Sequence, residues 1–108
     1  MRFLGFVADG EFQAILRNAV GLVFPSLYEG FGLPALEAAQ ARARIVTSRL
    51  EVFDEIGVPP QAQVDFADPD ALLAALRRPG PTVLLRAPLT WRDAAERTLA
   101  VLRRAARA

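Results

Sequence analysis

"GLVFPSLYEGFGLPALEAAQARARIVTS", residues 21–48, changes character three times in 28 positions. "GLVFPS" (21–26) is apolar almost throughout, as a strand covered on both faces would be. "PALEAAQARA" (34–43) opens on a proline suited to the first helical position and continues with good helix formers. "RIVTS" (44–48) returns to β-branched residues. Strand, short loop, helix and strand in this order make a parallel crossover unit.

The pattern extends in both directions. Upstream, "RFLGFV" (2–7) reads as a strand and residues 9–19 as a helix, with Asp9 as N-cap and Phe12, Ile15 and Leu16 on one face. Downstream, residues 51–57 form a short helix closed by Gly57, and "AQVDF" (62–66) a fourth strand. Residues 68–78 follow as a helix with Asp68 as cap and Pro69 opening it. The prolines of residues 79–88 permit only a short strand or a single helical turn. Residues 89–108 make a long amphipathic helix with Thr90 as N-cap and Trp91, Leu99 and Leu102 as apolar members. The expectation is an α/β, Rossmann-like three-layer domain: a short parallel sheet of about four strands, flanked by helices, with a long C-terminal helix.

Composition bounds the chemistry. The 108 residues suffice for one core, and 53% hydrophobic with 23% charged residues is a globular balance. No apolar run approaches the ~20 residues that span a bilayer. The apolar start is too short for a secretory signal and soon meets Asp9 and Glu11, which points to a cytoplasmic protein. Without Cys or His, thiolate nucleophiles, the usual zinc sites and histidine bases are excluded. Residues 77–108 carry eight arginines against Asp93 and Glu96, a net of +6. That charge fits a solvated helix, or contact with a phosphorylated partner or with anionic lipid at the inner membrane face. It lacks the interleaved aromatics of a nucleic-acid surface, so nucleic acid is not an expected partner.

Ligands of such folds bind at the carboxyl ends of the strands, which is where residues 26–34 fall. Gly30 and Gly32 allow positive φ and close approach of a ligand to the main chain. Free amides at the helix start, around Leu33 to Leu36, offer hydrogen bonds to phosphate or sugar hydroxyls. Glu37, expected in the first helical turn, and Glu29, at the end of the strand, can each accept two hydrogen bonds from a vicinal diol. From spacing alone a tight turn with a solvated Glu29 and a favourable first-turn charge at Glu37 fits equally well. A glycosidase pair is the weaker reading, because it needs ~5 or ~6.5 to 9.5 Å between carboxyls and one raised pKa.

"FPSLYEGFGLPALEA" resembles the signature of the retaining glycosyltransferases of family 4, whose two-Rossmann-domain fold carries a Glu-x₇-Glu motif in its C-terminal domain. The similarity continues in residues 2–19, in "RIVTS", in "VDFADPDALLAAL" and in "LTWRDAAERTLAVLR", leaving residues 77–88 as the poorest match. The resemblance implies a single partial C-terminal domain over residues 1–108, which binds the nucleotide-diphosphate sugar. It implies Glu37 on the ribose hydroxyls and Glu29 facing the donor sugar, with the amides of Gly30, Phe31, Gly32 and Leu33 on sugar hydroxyls and the distal phosphate. Gly5, Phe6 and Val7 would lie against the nucleobase. Transfer to an unknown acceptor would retain configuration, by front-side displacement without an enzyme nucleophile. The nucleotide-sugar is substrate, and neither metal nor cofactor is implied.

The sequence departs from the family in two places. The usual "ACG.PV" reads "AQARARIV" here, and the family's phosphate-neutralising basic pair, first two strands and acceptor domain lie upstream of the segment matching "RFLGFV". Either "RFLGFV" pairs directly with "GLVFPS" or a partner chain supplies the missing strands; the former is expected. A chain so truncated could also be a non-catalytic nucleotide-sugar-binding or assembly module.

Overall fold

The computed structural model describes residues 1–87 and 90–108. Three parallel strands form one sheet in the order β1 (Leu22–Phe24), β2 (Ile45–Ser48), β3 (Gln63–Val64). Leu22 pairs with Ile45 and Phe24 with Thr47, while Thr47 and Ser48 pair with Gln63 and Val64. The described residues form five helices: α1 (Asp9–Asn18), α2 (Leu33–Gln40), α3 (Glu51–Glu55) and α4 (Pro69–Arg77), which pack on the sheet, and α5 (Trp91–Ala106), which adds no buried residue to the core. A 3₁₀ turn over Pro60–Ala62 leads into β3. The layering is that of a Rossmann-like domain.

Successive side chains of a strand point to opposite faces, and β2 uses both. Ile45 joins Leu16, Ala35, Ala38, Phe53 and Val58 under α1, α2 and α3. Val46 joins Val64 and Ala75 under α4. Small alanines on α2 let that helix settle close to the sheet, and Phe53 fills the space beyond it, edge-on to Phe24 at 5.9 Å between ring centres. On the same face of β2, the buried Thr47 hydroxyl has no hydrogen-bond partner among the described residues.

The expected first strand does not form. Residues 2–7 form no strand and pair with nothing among the described residues, with Phe3 86% and Phe6 95% exposed, so the sheet has three strands rather than four. Two physical reasons combine. Gly5 takes φ +64°, which breaks the extended run. A segment apolar on both faces also gains little on an edge, where one face and one row of backbone groups stay wet.

Other boundaries shift. Ala8, not Asp9, caps α1, and Asp9 is the first residue of the helix. β1 ends at Phe24, two residues before Ser26. α2 begins at Leu33, so Pro34 is its second residue and Glu37 lies in its second turn. Asp68 caps α4 as expected, its carboxylate accepting from the amides of Asp70 and Ala71 at 3.1 Å each. Thr90 and Asp93 form a reciprocal capping box at α5. The expected start of that helix at Leu89, like Pro88, lies outside the described residues.

Residues 79–87 form neither strand nor helical turn but a strap along the amino edge of the sheet. The Thr82 hydroxyl accepts from the Ile45 amide at 2.8 Å and lies 3.2 Å from the Ile45 carbonyl oxygen, and the Leu85 amide donates to the Gly57 carbonyl at 2.7 Å. The Arg44 guanidinium donates to the Leu76 carbonyl beside it. Two prolines and a glycine in this stretch prevent regular structure, so the backbone is held by side chains and single bonds instead.

Candidate functional site

The loop from Pro25 to Gly32 leaves β1 at the carboxyl edge of the sheet, opposite the strap, and turns into α2. Gly32 fixes that turn. It is the α2 N-cap at φ +81°, and a Cβ there would stand 3.1 Å from Phe53 Cε1 and 3.3 Å from Ile56 Cδ1. The core residues of α3 thus form the floor on which the loop lies. Gly30 has open space around it and a negative φ, so its contribution is a bare backbone rather than a required bend.

The amides follow from this turn. Gly32 has no side chain to cap α2, and Pro34 has no N–H. The Ala35 and Leu36 amides both reach the Gly32 carbonyl, at 3.0 and 3.4 Å, so the free donors expected at Leu33 to Leu36 reduce to Leu33. The amides of Gly30, Phe31, Gly32 and Leu33 make no hydrogen bond among the described residues. Four consecutive N–H groups without an internal acceptor are an opening for an external one.

The carboxylates flank these amides in the chain. Glu29, half-buried, has its Oε1 3.1 Å from the Ser26 hydroxyl, which also donates to the Tyr28 carbonyl at 2.9 Å. Ser26 is a residue to which the sequence assigned no role; a hydroxyl three positions before a loop carboxylate was the available signal. Glu37, half-buried on α2, makes no side-chain hydrogen bond among the described residues. Both carboxylates therefore keep acceptor capacity for a ligand.

Not every expected residue joins this group. Gly5, Phe6 and Val7 lie in the unpaired segment before α1 and make no hydrogen bond to the loop. On the outer side of α2 and α3 lies a cavity of about 310 Å³, lined by Phe31, Leu36, Val52, Ile56, Arg86 and Arg97 among others. Among the described residues no cluster of three acidic groups could hold a metal ion.

A parallel sheet with a glycine-bent loop of open amides and two carboxylates at its carboxyl edge defines an α/β domain suited to hydroxyl-rich or anionic ligands. Comparison with known proteins gives the family of the chain. Residues 1–79 match the family described as glycosyl transferases group 1, and the chain belongs to that family. It is 36% identical over 92% of its length to an MMP alpha-(1->4)-mannosyltransferase of Mycolicibacterium hassiacum. It is 42% identical over 70% of its length to a glycogen synthase of Mycobacterium tuberculosis, and 36% identical over 68% to the O-antigen chain mannosyltransferase B of Escherichia coli. The matched region spans 28%, 19% and 19% of those three proteins, so the chain corresponds to less than a third of their lengths. No solved structure matches it.

Proposed function

We propose that the chain is the donor-binding, C-terminal domain of a retaining family 4 glycosyltransferase and holds a nucleotide-diphosphate sugar at the β1–α2 loop. The observation that carries this reading is the run of four unpaired amides, Gly30 to Leu33, between two carboxylates with free acceptor capacity. Glu37 takes the ribose hydroxyls and Glu29, held by Ser26, the hydroxyls of the transferred sugar. The amides take the distal phosphate, and residues 5–7 the nucleobase. In the transfer, the bond from the anomeric carbon to the diphosphate oxygen breaks and the nucleoside diphosphate leaves with the electron pair. The acceptor hydroxyl bonds to the same face and gives its proton to the leaving phosphate oxygen. Glu29 positions the sugar and stabilises developing positive charge; it does not attack. The names of two relatives make a mannose donor the first to try.

The acceptor surface, and cationic side chains to neutralise the diphosphate, come from further polypeptide, either upstream in a longer protein or on a partner chain. A second reading rests on residues 25–33, which contain no cationic side chain: a nucleotide-sugar-binding module without transfer.

Calorimetric titration with UDP- and GDP-sugars tests the site. Binding is expected near or tighter than a millimolar dissociation constant, about −4 kcal/mol. Glu37→Ala is expected to weaken it roughly tenfold or more, the worth of a charged hydrogen bond. No heat at millimolar donor refutes both readings. Binding without turnover, even after acceptor and upstream polypeptide are supplied, selects the second.

A further inference from the structure

We propose that α5 is an interfacial helix that lies in the plane of an anionic lipid bilayer. None of its residues is buried, although it is the longest element of the chain. At 100° per residue its large apolar side chains occupy one arc of roughly 160°, from Val101 through Trp91 and Leu102 to Leu99, which also contains Thr98, while Ala100 lies opposite. Trp91 is 92% exposed, Leu102 59% and Leu99 45%. Arginines stand at both margins of the arc, Arg92 and Arg103 on one side and Arg97 and Arg104 on the other. Asp93 and Glu96 occupy the middle of the polar face.

This order of charge favours an anionic bilayer over a neutral apolar surface. Arginines at the margins reach headgroup phosphates while the arc enters the acyl boundary, and the two acids face water. The Thr90–Asp93 capping box holds the first turn helical without help from packing. Arg97 also lines the cavity beside Phe31, so that margin faces the body of the domain. No helix of the described residues is long and apolar enough to cross a membrane, so the contact is parallel to the surface. The inference rests on α5 staying uncovered by the further polypeptide that the proposed function calls for.

The only tryptophan of the chain supplies the readout. The whole chain is mixed with vesicles of phosphatidylcholine, with and without about a third phosphatidylglycerol, and followed by sedimentation and Trp91 emission. Expected are at least roughly tenfold more binding to the anionic vesicles, a blue shift of Trp91, and loss of both in high salt. Leu99→Asp with Leu102→Asp should abolish binding and leave the thermal transition unchanged, since neither residue is buried. Should that variant misfold, Arg92→Glu with Arg103→Glu tests the same contact through charge alone and should also lose binding. Equal binding to neutral vesicles overturns the proposal, as does wild-type binding by the charge variant. An already blue-shifted Trp91 that lipid does not alter means that a protein surface covers the face, and also overturns it.

Discussion

Gly32 and Gly30 are two positions apart, yet the structure gives them different roles. Gly32→Ala forces an L-residue into left-handed backbone, at roughly 1–2 kcal/mol, and presses a Cβ on Phe53. A total loss of about 2 kcal/mol or more is expected, visible as a lowered denaturation midpoint, with donor binding lost as the loop shifts. Gly30→Ala meets nothing within 4 Å and should stay within about 0.5 kcal/mol of wild type. Thr47 gives the opposite sign. Its buried hydroxyl has no described partner, so the near-isosteric Thr47→Val should stabilise the fold by roughly 1 kcal/mol in urea unfolding. Legibility at this scale was uneven. The Glu29–Glu37 pair and the glycines could be read from the chain, because they are local. The bond from Ser26 to Glu29 and the loss of the Ala35 and Leu36 amides to Gly32 could not, because they depend on where the helix starts.

At the scale of elements, helices with strong caps were the most legible. Asp68 with Pro69, and Thr90 with Asp93, mark the starts of α4 and α5 because the capping partners lie within three residues. The α5 cap also titrates. Hydrogen bonds from the Thr90 hydroxyl and then the Thr90 amide, with the Arg97 charge, hold Asp93 below its ordinary value of 3.8. A lowered folded-state pKa means that the stabilisation is present above 3.8 and is lost as pH falls below it, through the lowered value. Far-UV circular dichroism on acidification should show the first turn of α5 fraying in that window. Asp93→Asn, which cannot titrate, should remove this component of the change. Residues 2–7 show the limit of the same approach: their apolar run satisfies a strand pattern, but a strand needs a neighbour, and β1 leaves them without one.

For the whole molecule, stability rests on a thin core. Phe53 is its largest wholly buried side chain, touching both the sheet and the glycine turn. Phe53→Ala is expected to cost about 3–5 kcal/mol, against a total of roughly 5–15 kcal/mol for an ordinary domain. Loss of a cooperative thermal transition is the outcome to look for by calorimetry. α5 adds no buried residue to that core. By itself the sequence determined the alternation of strands and helices from residue 9 to 77, the caps of α4 and α5 and the carboxylate-flanked glycine loop. Each of these is written in residues a few positions apart, where periodicity and backbone preference act directly. Only the tertiary structure decided that the sheet stops at three strands, that α3 forms the floor under Gly32, and that residues 79–87 run as a strap along the opposite edge. Those outcomes depend on contacts between residues far apart in the chain, whose free energies no local pattern records.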